Sequence, residues 1–401
     1  MEANRRLTGP RVLDGVRVLD FTSVIAGPYC TRLMADLGAE VLKVEPPGGE
    51  FARHVPPMRQ GVSAVFSQLN CGKKSLALDL KHAAAADIIK QLVRTYDVVV
   101  ENFSPGVMAR LGLDYATLAQ ANPAVIMCSI SGYGQTGPSA QRPAYAPVVQ
   151  AESGFDQVYL QYQPNLERPL NMGPPVADTT ASLQALGAIN GALFYRQRTG
   201  QGQHLDIAMF DAILNTFPKE FQQQYWPSTP DRLYGPFDTQ DGFILVLPLN
   251  QKHFTSLAAC MERRDLLSDP RFATTTERLA NYQAFTAIVA DWLRRLTSTE
   301  ALAILDAAHI PCADYRSVGE AADDPQLLHR GMITETEDAA GRLRVPNSPF
   351  LFSHTQASVQ PWVATVGQHG REILATVLGY STACIDQLEA EGALRSGEDT
   401  A

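Results

Sequence analysis

"VRVLDFTSVIAGPYCTRLMADLGAEVLKVE", Val16–Glu45, decides the fold class. "VRVLDF" and "EVLKVE" are short, β-rich apolar runs, and the helix-like "PYCTRLMADLGA" lies between them, with Pro28 suited to a first turn. Strand, helix and strand in that order predict a βαβ unit. The pattern continues outward through "SLALDL", a helix over "AAAADIIKQLVRTY", then "DVVVEN" and "AVIMCSISGY". A long helix follows Asp178, and "GQHLDIAMFDAILNTF" adds another strand and helix. Strands that read as apolar runs and alternate with helices are buried on both faces, so a parallel α/β sheet is expected.

Composition shifts after Phe217. "PKEFQQQYWPSTPDRLYGPFDTQDG" is rich in Gln, Pro and aromatics and reads as a linker. Beyond it come "GFILVLPL", helices near Phe254–Glu262 and Tyr282–Leu296, and "IPCADYRSV". From Gly331 the chain makes two strand-like pieces, "GMITETED" and "GRLRVPNSP", and closes with helices around Arg371–Leu378 and Ile385–Glu391. The expected division is therefore a large domain over 1–217, a linker and small domain over 218–330, and a return over 331–401. The last residues, "RSGEDTA", are expected to fray.

The 401 residues suffice for two domains, and 45% apolar with 19% charged residues is ordinary for a globular chain. A net charge of −9 without a Lys/Arg run argues against nucleic-acid binding. Six scattered cysteines without CxxC pairs read as reduced thiols rather than a disulfide frame or a zinc site. With no apolar signal core and no membrane-length apolar run, the cytoplasm is the expected location.

Several chemistries lack their motifs. No GxGxxG follows the first strand, only "TSVIAGP", which argues against a nicotinamide dehydrogenase; P-loop, GxSxG and HExxH are also missing. No metal, NAD or ATP is expected. Cys71 in "NCGKKS" reads as a core cysteine rather than a nucleophile. What remains is a group of loops read as lying where strands end: "SVIAGP", "NCGKKS", "ENFSPGVMARLG" and "SGYGQTGP". Lys73, Lys74 and Arg110 supply cations for phosphates, and Phe103 beside Asn102 offers an aromatic face. Together they suit a large anionic, nucleotide-like acyl carrier. Asp178, in "GPPVADTTAS", sits where a helix cap is expected from local signals alone.

These stretches, in order and spacing, resemble the family III coenzyme A transferases, which include formyl-CoA and carnitine CoA-transferases and α-methylacyl-CoA racemases. The resemblance runs from about Leu13 to Leu378. It implies an α/β fold with a large Rossmann-like parallel-sheet domain built from both chain ends. A smaller α+β domain is inserted, and two subunits interlock as a homodimer. The family's catalytic aspartate falls on Asp178. Coenzyme A contacts carry over to Val24, Ala26, Asn102, Phe103, Arg110 and Met209, and to Lys73. Pro46 stands where one relative has a phosphate-binding arginine.

The resemblance implies transfer of coenzyme A from an acyl-CoA to a free carboxylic acid through aspartyl anhydride and aspartyl-CoA thioester intermediates. Tyr145, grouped with the coenzyme-contacting positions, matches the histidine of the racemases. Phenols ionise near pH 10, so this position offers a poor base at neutral pH, and transfer is favoured over racemisation. A racemase, epimerase or isomerase, or a non-catalytic CoA-binding protein, are the alternatives. Small dicarboxylic acids such as oxalate, succinate, mesaconate or itaconate are the expected acceptors, with Arg53, Arg142 and Arg168 as candidates for the distal carboxylate.

Overall fold

The structure is a computed structural model, and it describes residues 9–163, 166–170, 173–227 and 235–397. The chain divides into two compact units. The first comprises Met1–Phe155, Asn171–Phe217 and Pro325–Ala401, and the second Asp156–Leu170 and Pro218–Asp324.

In the first unit, seven strands form one sheet: β1 (Arg17–Asp20), β2 (Glu40–Glu45), β3 (Lys73–Leu78), β4 (Val98–Glu101), β5 (Ile126–Ser131), β6 (His204–Ala208) and β7 (Leu394–Arg395). Their order is β7-β3-β2-β1-β4-β5-β6. All pairs are parallel except β7, which runs antiparallel along β3 with Leu394 opposite Leu78. The 3-2-1-4-5-6 order is that of doubly wound sheets, whose order reverses between β1 and β4. Val18, Leu19, Leu42 and Val98–Val100 are fully or almost fully buried, because helices cover both faces.

One face carries a cluster in which Ile88, Ile89 and Leu92 meet Leu19, Leu42 and Leu76, closed by Ile373, Leu374 and Leu388. The other face carries α1 (Ala26–Asp36) and, after α2 (Ala146–Glu152), the long α3 (Val176–Thr199). Ala177, Ala181, Ala185, Ile189 and Ala192 form the buried stripe of α3. The four alanines let it lie close against α1. α4 (Met209–Leu214) follows β6 with no intervening loop.

The second unit has a three-stranded antiparallel sheet of Phe237–Asp238, Phe243–Val246 and Cys312–Asp314. Its core gathers Phe254, Phe272 and Phe285, with ring centroids 5.7 and 5.8 Å from Phe285.

The architecture is the expected mixed α/β with a parallel-dominated sheet. Two local expectations change. Residues 156–170 fall in the second unit, where Tyr162 donates to Glu220 at 2.5 Å from a helix (Pro218–Gln223) inside the segment read as linker. Part of that segment, residues 228–234, lies outside the described residues. Arg395, expected to fray, is paired in β7, while residues 398–401 lie outside the description. Pro28 is the third residue of α1 and so lies in its first turn, as expected.

Candidate active site

The parallel strands end on one edge, and the loops leaving them build a cleft at the point where strand order reverses. Ser23–Ala26 follow β1, Asn102–Pro105 follow β4 and Gly132 follows β5. The cleft holds about 190 Å³. Of the residues singled out in the sequence, Val24, Ala26, Asn102, Phe103, Arg142, Tyr145, Asp178 and Met209 line it. Tyr145, just before α2, is 70% exposed. Met209 opens α4 and is buried.

Asp178 is not the cap of its helix. Pro175 occupies that position, Asp178 is the third residue of α3, and the N-cap residue itself makes no side-chain hydrogen bond. Gln150 Oε1 instead accepts the Ala177 N–H at 3.4 Å. Among the described residues none donates a hydrogen bond to the Asp178 carboxylate, and burial alone pushes its pKa up to about 6. A first-turn carboxylate ordinarily gains from the helix dipole; here desolvation outweighs it. The result is a half-buried, unpartnered carboxylate facing a cleft and ionised at neutral pH.

The loop opposite is held tightly. Ser23 N–H donates to Asn102 Oδ1 at 2.8 Å, and Asn102 Nδ2 returns to Ser23 O at 2.9 Å. Asn102 is thus committed to the loop. Ser182 Oγ, one turn after Asp178, donates to Ala26 O at 2.5 Å and lies 2.7 Å from Asp178 O. Gly27 is required at its position, since a Cβ there would come within 2.1 Å of Thr22 Cγ2.

Lys73 is a correction. It opens β3, level with Val41 at the start of β2, whereas the cleft forms beyond Asp20, which is level with Lys43. "NCGKKS" therefore sits at the opposite edge of the sheet. Lys73 is 1% exposed, and its ammonium donates to Asp20 Oδ2 (3.0 Å), Pro28 O (2.9 Å) and Asn70 Oδ1 (2.8 Å). Its three protons are used within the protein, so it has none for a phosphate. Lys74 is partly exposed and faces Glu40 and Glu372 at 3.7 and 3.6 Å. Arg110 ends a short helix (Val107–Arg110) beside the cleft, exposed and outside its lining. Cys71 is buried, and burial pushes its thiol pKa up, which suits a core cysteine.

The three arginines considered for a second carboxylate separate as well. Arg53 is spent on Glu45 through Nε (2.8 Å) and Nη2 (2.7 Å), with its guanidinium 3.9 Å from the Phe66 ring centre. Arg168 is exposed in the second unit. Arg142 lines the cleft with Asp178.

A model for "CoA-transferase family III" matches residues 13–370. The chain belongs to this family. Succinyl-CoA:glutarate CoA-transferase of Mus musculus is 31% identical over 96% of this chain and 91% of its own length. Succinyl-CoA:mesaconate CoA-transferase of Haloarcula hispanica is 33% identical over 90% of this chain and 95% of its own. The crystal structure of a CAIB/BAIF family protein from Brucella suis superposes with a TM-score of 0.80 at 30% identity, covering 92% of this chain and all of that one. The protein is thus an enzyme, a family III CoA-transferase, whose co-substrates are CoA thioesters. Among the described residues, no helix is long and apolar enough to cross a membrane.

Sequence reasoning missed two groups of this CoA-transferase that frame the cleft. Lys43 and Glu50 form a buried ion pair at 3.0 Å behind the Ser23–Ala26 loop. The signal was present for Lys43, a charge inside a strand that is otherwise a buried run. For Glu50, in "PPGGE", local sequence offers only a turn.

Proposed function

We propose that the protein is an acyl-CoA:carboxylate CoA-transferase that moves coenzyme A from an acyl-CoA to a small dicarboxylic acid, with Asp178 as nucleophile. One observation carries this reading: a carboxylate in a cleft that meets no hydrogen-bond donor among the described residues and is raised by burial to about 6. A carboxylate that accepts no hydrogen bonds keeps its lone pairs for attack, and its raised basicity makes it a better nucleophile. The relatives support the acceptor class, since their names pair succinyl-CoA with glutarate or mesaconate, all of them dicarboxylic.

In this mechanism Asp178 attacks the donor thioester carbonyl and the carbon–sulfur bond breaks, giving a mixed anhydride and CoA thiolate. The thiolate attacks the aspartyl carbonyl, releases the donor acid and leaves an Asp178–CoA thioester. The acceptor carboxylate attacks that thioester and frees the thiolate again. Thiolate attack on the acceptor's acyl carbon then restores Asp178 and yields the new acyl-CoA. Each step exchanges one activated acyl bond for another, so the sequence balances without an oxidant or a nucleoside triphosphate. The same reading takes the working unit to be an interlocked, cytoplasmic homodimer, with Val24, Ala26, Asn102, Phe103, Arg110, Tyr145 and Met209 along the coenzyme.

A matrix of acyl-CoAs against free acids, read by mass spectrometry, tests the reaction class. Succinyl-CoA with glutarate or mesaconate is expected to give the exchanged thioester, and no acid-dependent exchange with any pair would overturn the proposal. With a 2-methylacyl-CoA in D₂O and no acid, no enzyme-dependent deuterium is expected at the α carbon. A transferase works at the carbonyl only, whereas rapid α-deuteration would assign the chain to the racemases.

Arg142 suits the distal carboxylate. Its Nη1 donates to Glu152 at 2.5 Å and its guanidinium lies 5.0 Å from the Tyr133 ring centre, so the side chain is held in place. Nε and Nη2 have no protein acceptor among the described residues, which leaves a two-pronged donor edge for a carboxylate. Arg142→Met is expected to raise KM at least ~10-fold for dicarboxylic acceptors relative to monocarboxylic ones, the scale of one charge-assisted hydrogen bond. Equal effects on both classes would remove Arg142 from acceptor recognition, and a raised KM for acyl-CoA alone would assign it to the coenzyme.

A further inference from the structure

Val24 lies at φ 67°, in the left-handed region. For a β-branched residue this is a genuine outlier, and such strain persists only where the surroundings impose it. The residue is in the loop that faces Asp178 across the cleft. Its N–H donates to Glu50 Oε2 at 3.0 Å. Glu50 Oε1 pairs with Lys43 Nζ at 3.0 Å, and both side chains are almost wholly buried, at 3% and 2% exposure. Lys43 Nζ also donates to Thr22 O at 2.7 Å, on the same loop. Burial works against the charge on Lys43, but Asp20, Glu50 and Glu45 outweigh it and its pKa is raised, so Lys43 stays an ammonium. Glu50 is fixed in turn, because its own N–H donates to Glu45 Oε2 at 3.1 Å and Glu45 is clamped by Arg53 and Ser75.

A buried ion pair contributes little net stability compared with apolar residues of the same size. Its presence behind a strained loop needs another explanation. We infer that Glu50 and Lys43 are positioning residues that hold the Val24 turn left-handed and so keep the Ser23–Ala26 wall set against Asp178. The pair clamps the loop at two points, Thr22 O and Val24 N–H, while Ser182 clamps it at Ala26 O from the nucleophile's own helix. Neither charge lines the cleft, so neither touches substrate. This inference rests on the proposed role of Asp178.

The test replaces the pair by two apolar residues of similar size, Lys43→Met with Glu50→Met, which removes both charges together, leaves Asp20 its direct partner Lys73 and preserves packing. Thermal stability is expected to stay near wild type while kcat falls at least ~10-fold, with a smaller change in KM for the acyl-CoA. Glu50→Gln, which keeps an acceptor for the Val24 N–H, is expected to retain more activity than Glu50→Met. Adding Val24→Gly to the double Met variant is the decisive arm, because glycine adopts positive φ without being held there. It is expected to bring kcat back to within about threefold of Val24→Gly alone. If kcat of the double Met variant is unchanged, or if Val24→Gly restores nothing, the inference is overturned. Failure of the Asp178 reading appears separately, as transfer surviving in Asp178→Ala.

Discussion

Asp178→Ala is expected to lose CoA transfer by roughly 10³-fold or more, the scale on which a removed nucleophile acts, while the chain folds normally. Folding survives because the side chain makes no hydrogen bond with a described residue and does not cap α3, so truncation breaks no bond. Incubating the wild type with acyl-CoA should add a CoA-sized, hydroxylamine-sensitive mass to the peptide that carries Asp178, and the alanine variant should lack it. Turnover near the wild-type rate in the variant would end the proposed mechanism.

The raised pKa of Asp178 gives the same site a pH signature and a stability signature. Attack needs the carboxylate, so kcat/KM is expected to rise with pH through a limb near 6 and to flatten above it. The stability effect has the opposite sense to that of a salt-bridged acid. Folding raises this pKa from its ordinary 3.8 to about 6, so the folded state resists ionisation. The cost is absent below about pH 4, grows between 4 and 6, and is complete above 6. Asp178→Asn, which removes the charge and keeps the shape, should therefore be more stable than wild type by ~1–2 kcal/mol at pH 7.5, after allowing for the solvent that reaches the side chain. At pH 4 the two melting temperatures should converge. A stabilising, inactivating substitution is the mark of a group kept for chemistry at the expense of the fold. Equal stability at both pH values would contradict the burial that motivates the assignment.

The sheet was legible because β1, β2, β4 and β5 are buried on both faces and write themselves as apolar runs. β7 was not, since the two residues Leu394 and Arg395 carry no periodicity and owe their place to pairing with β3. Asp178 was found through family resemblance. Its local signals pointed to a cap, and what separates the two readings is whether a donor meets the carboxylate, a matter of tertiary geometry. Val24 gave no hint of its left-handed backbone, because valine is among the last residues expected there. The loop positions around the cleft were readable from strand ends. Lys73 was misplaced for a related reason: "NCGKKS" precedes its strand, and in a parallel sheet a segment before a strand lies on the edge away from the ligand.

That misplacement leads to a second large expected effect. Lys73→Met should cost stability on the order of 3–5 kcal/mol and leave KM for acyl-CoA nearly unchanged in the molecules that remain folded. The reasoning starts from Asp20, which is 0% exposed and accepts from Thr22 N–H (2.9 Å), Thr22 Oγ1 (2.5 Å), Thr31 Oγ1 (2.6 Å) and Lys73 Nζ (3.0 Å). Burial alone would push this carboxyl up. Lys73 and Lys43, with the two threonines, overcome that and hold it well below the usual carboxylate range. Burial lowers Lys73 to about 8 despite Asp20, which still leaves it an ammonium at neutral pH. Removing Lys73 strands a buried charge whose main counter-charge is gone, whereas removing a phosphate contact from a cleft would spare the fold and raise KM. The double substitution Asp20→Asn with Lys73→Met separates the two cases further, because it removes both charges. It should recover much of the stability lost by Lys73→Met alone, as measured by denaturant midpoint at constant slope. A single variant with unchanged midpoint and a several-fold higher KM for acyl-CoA would instead return Lys73 to the coenzyme.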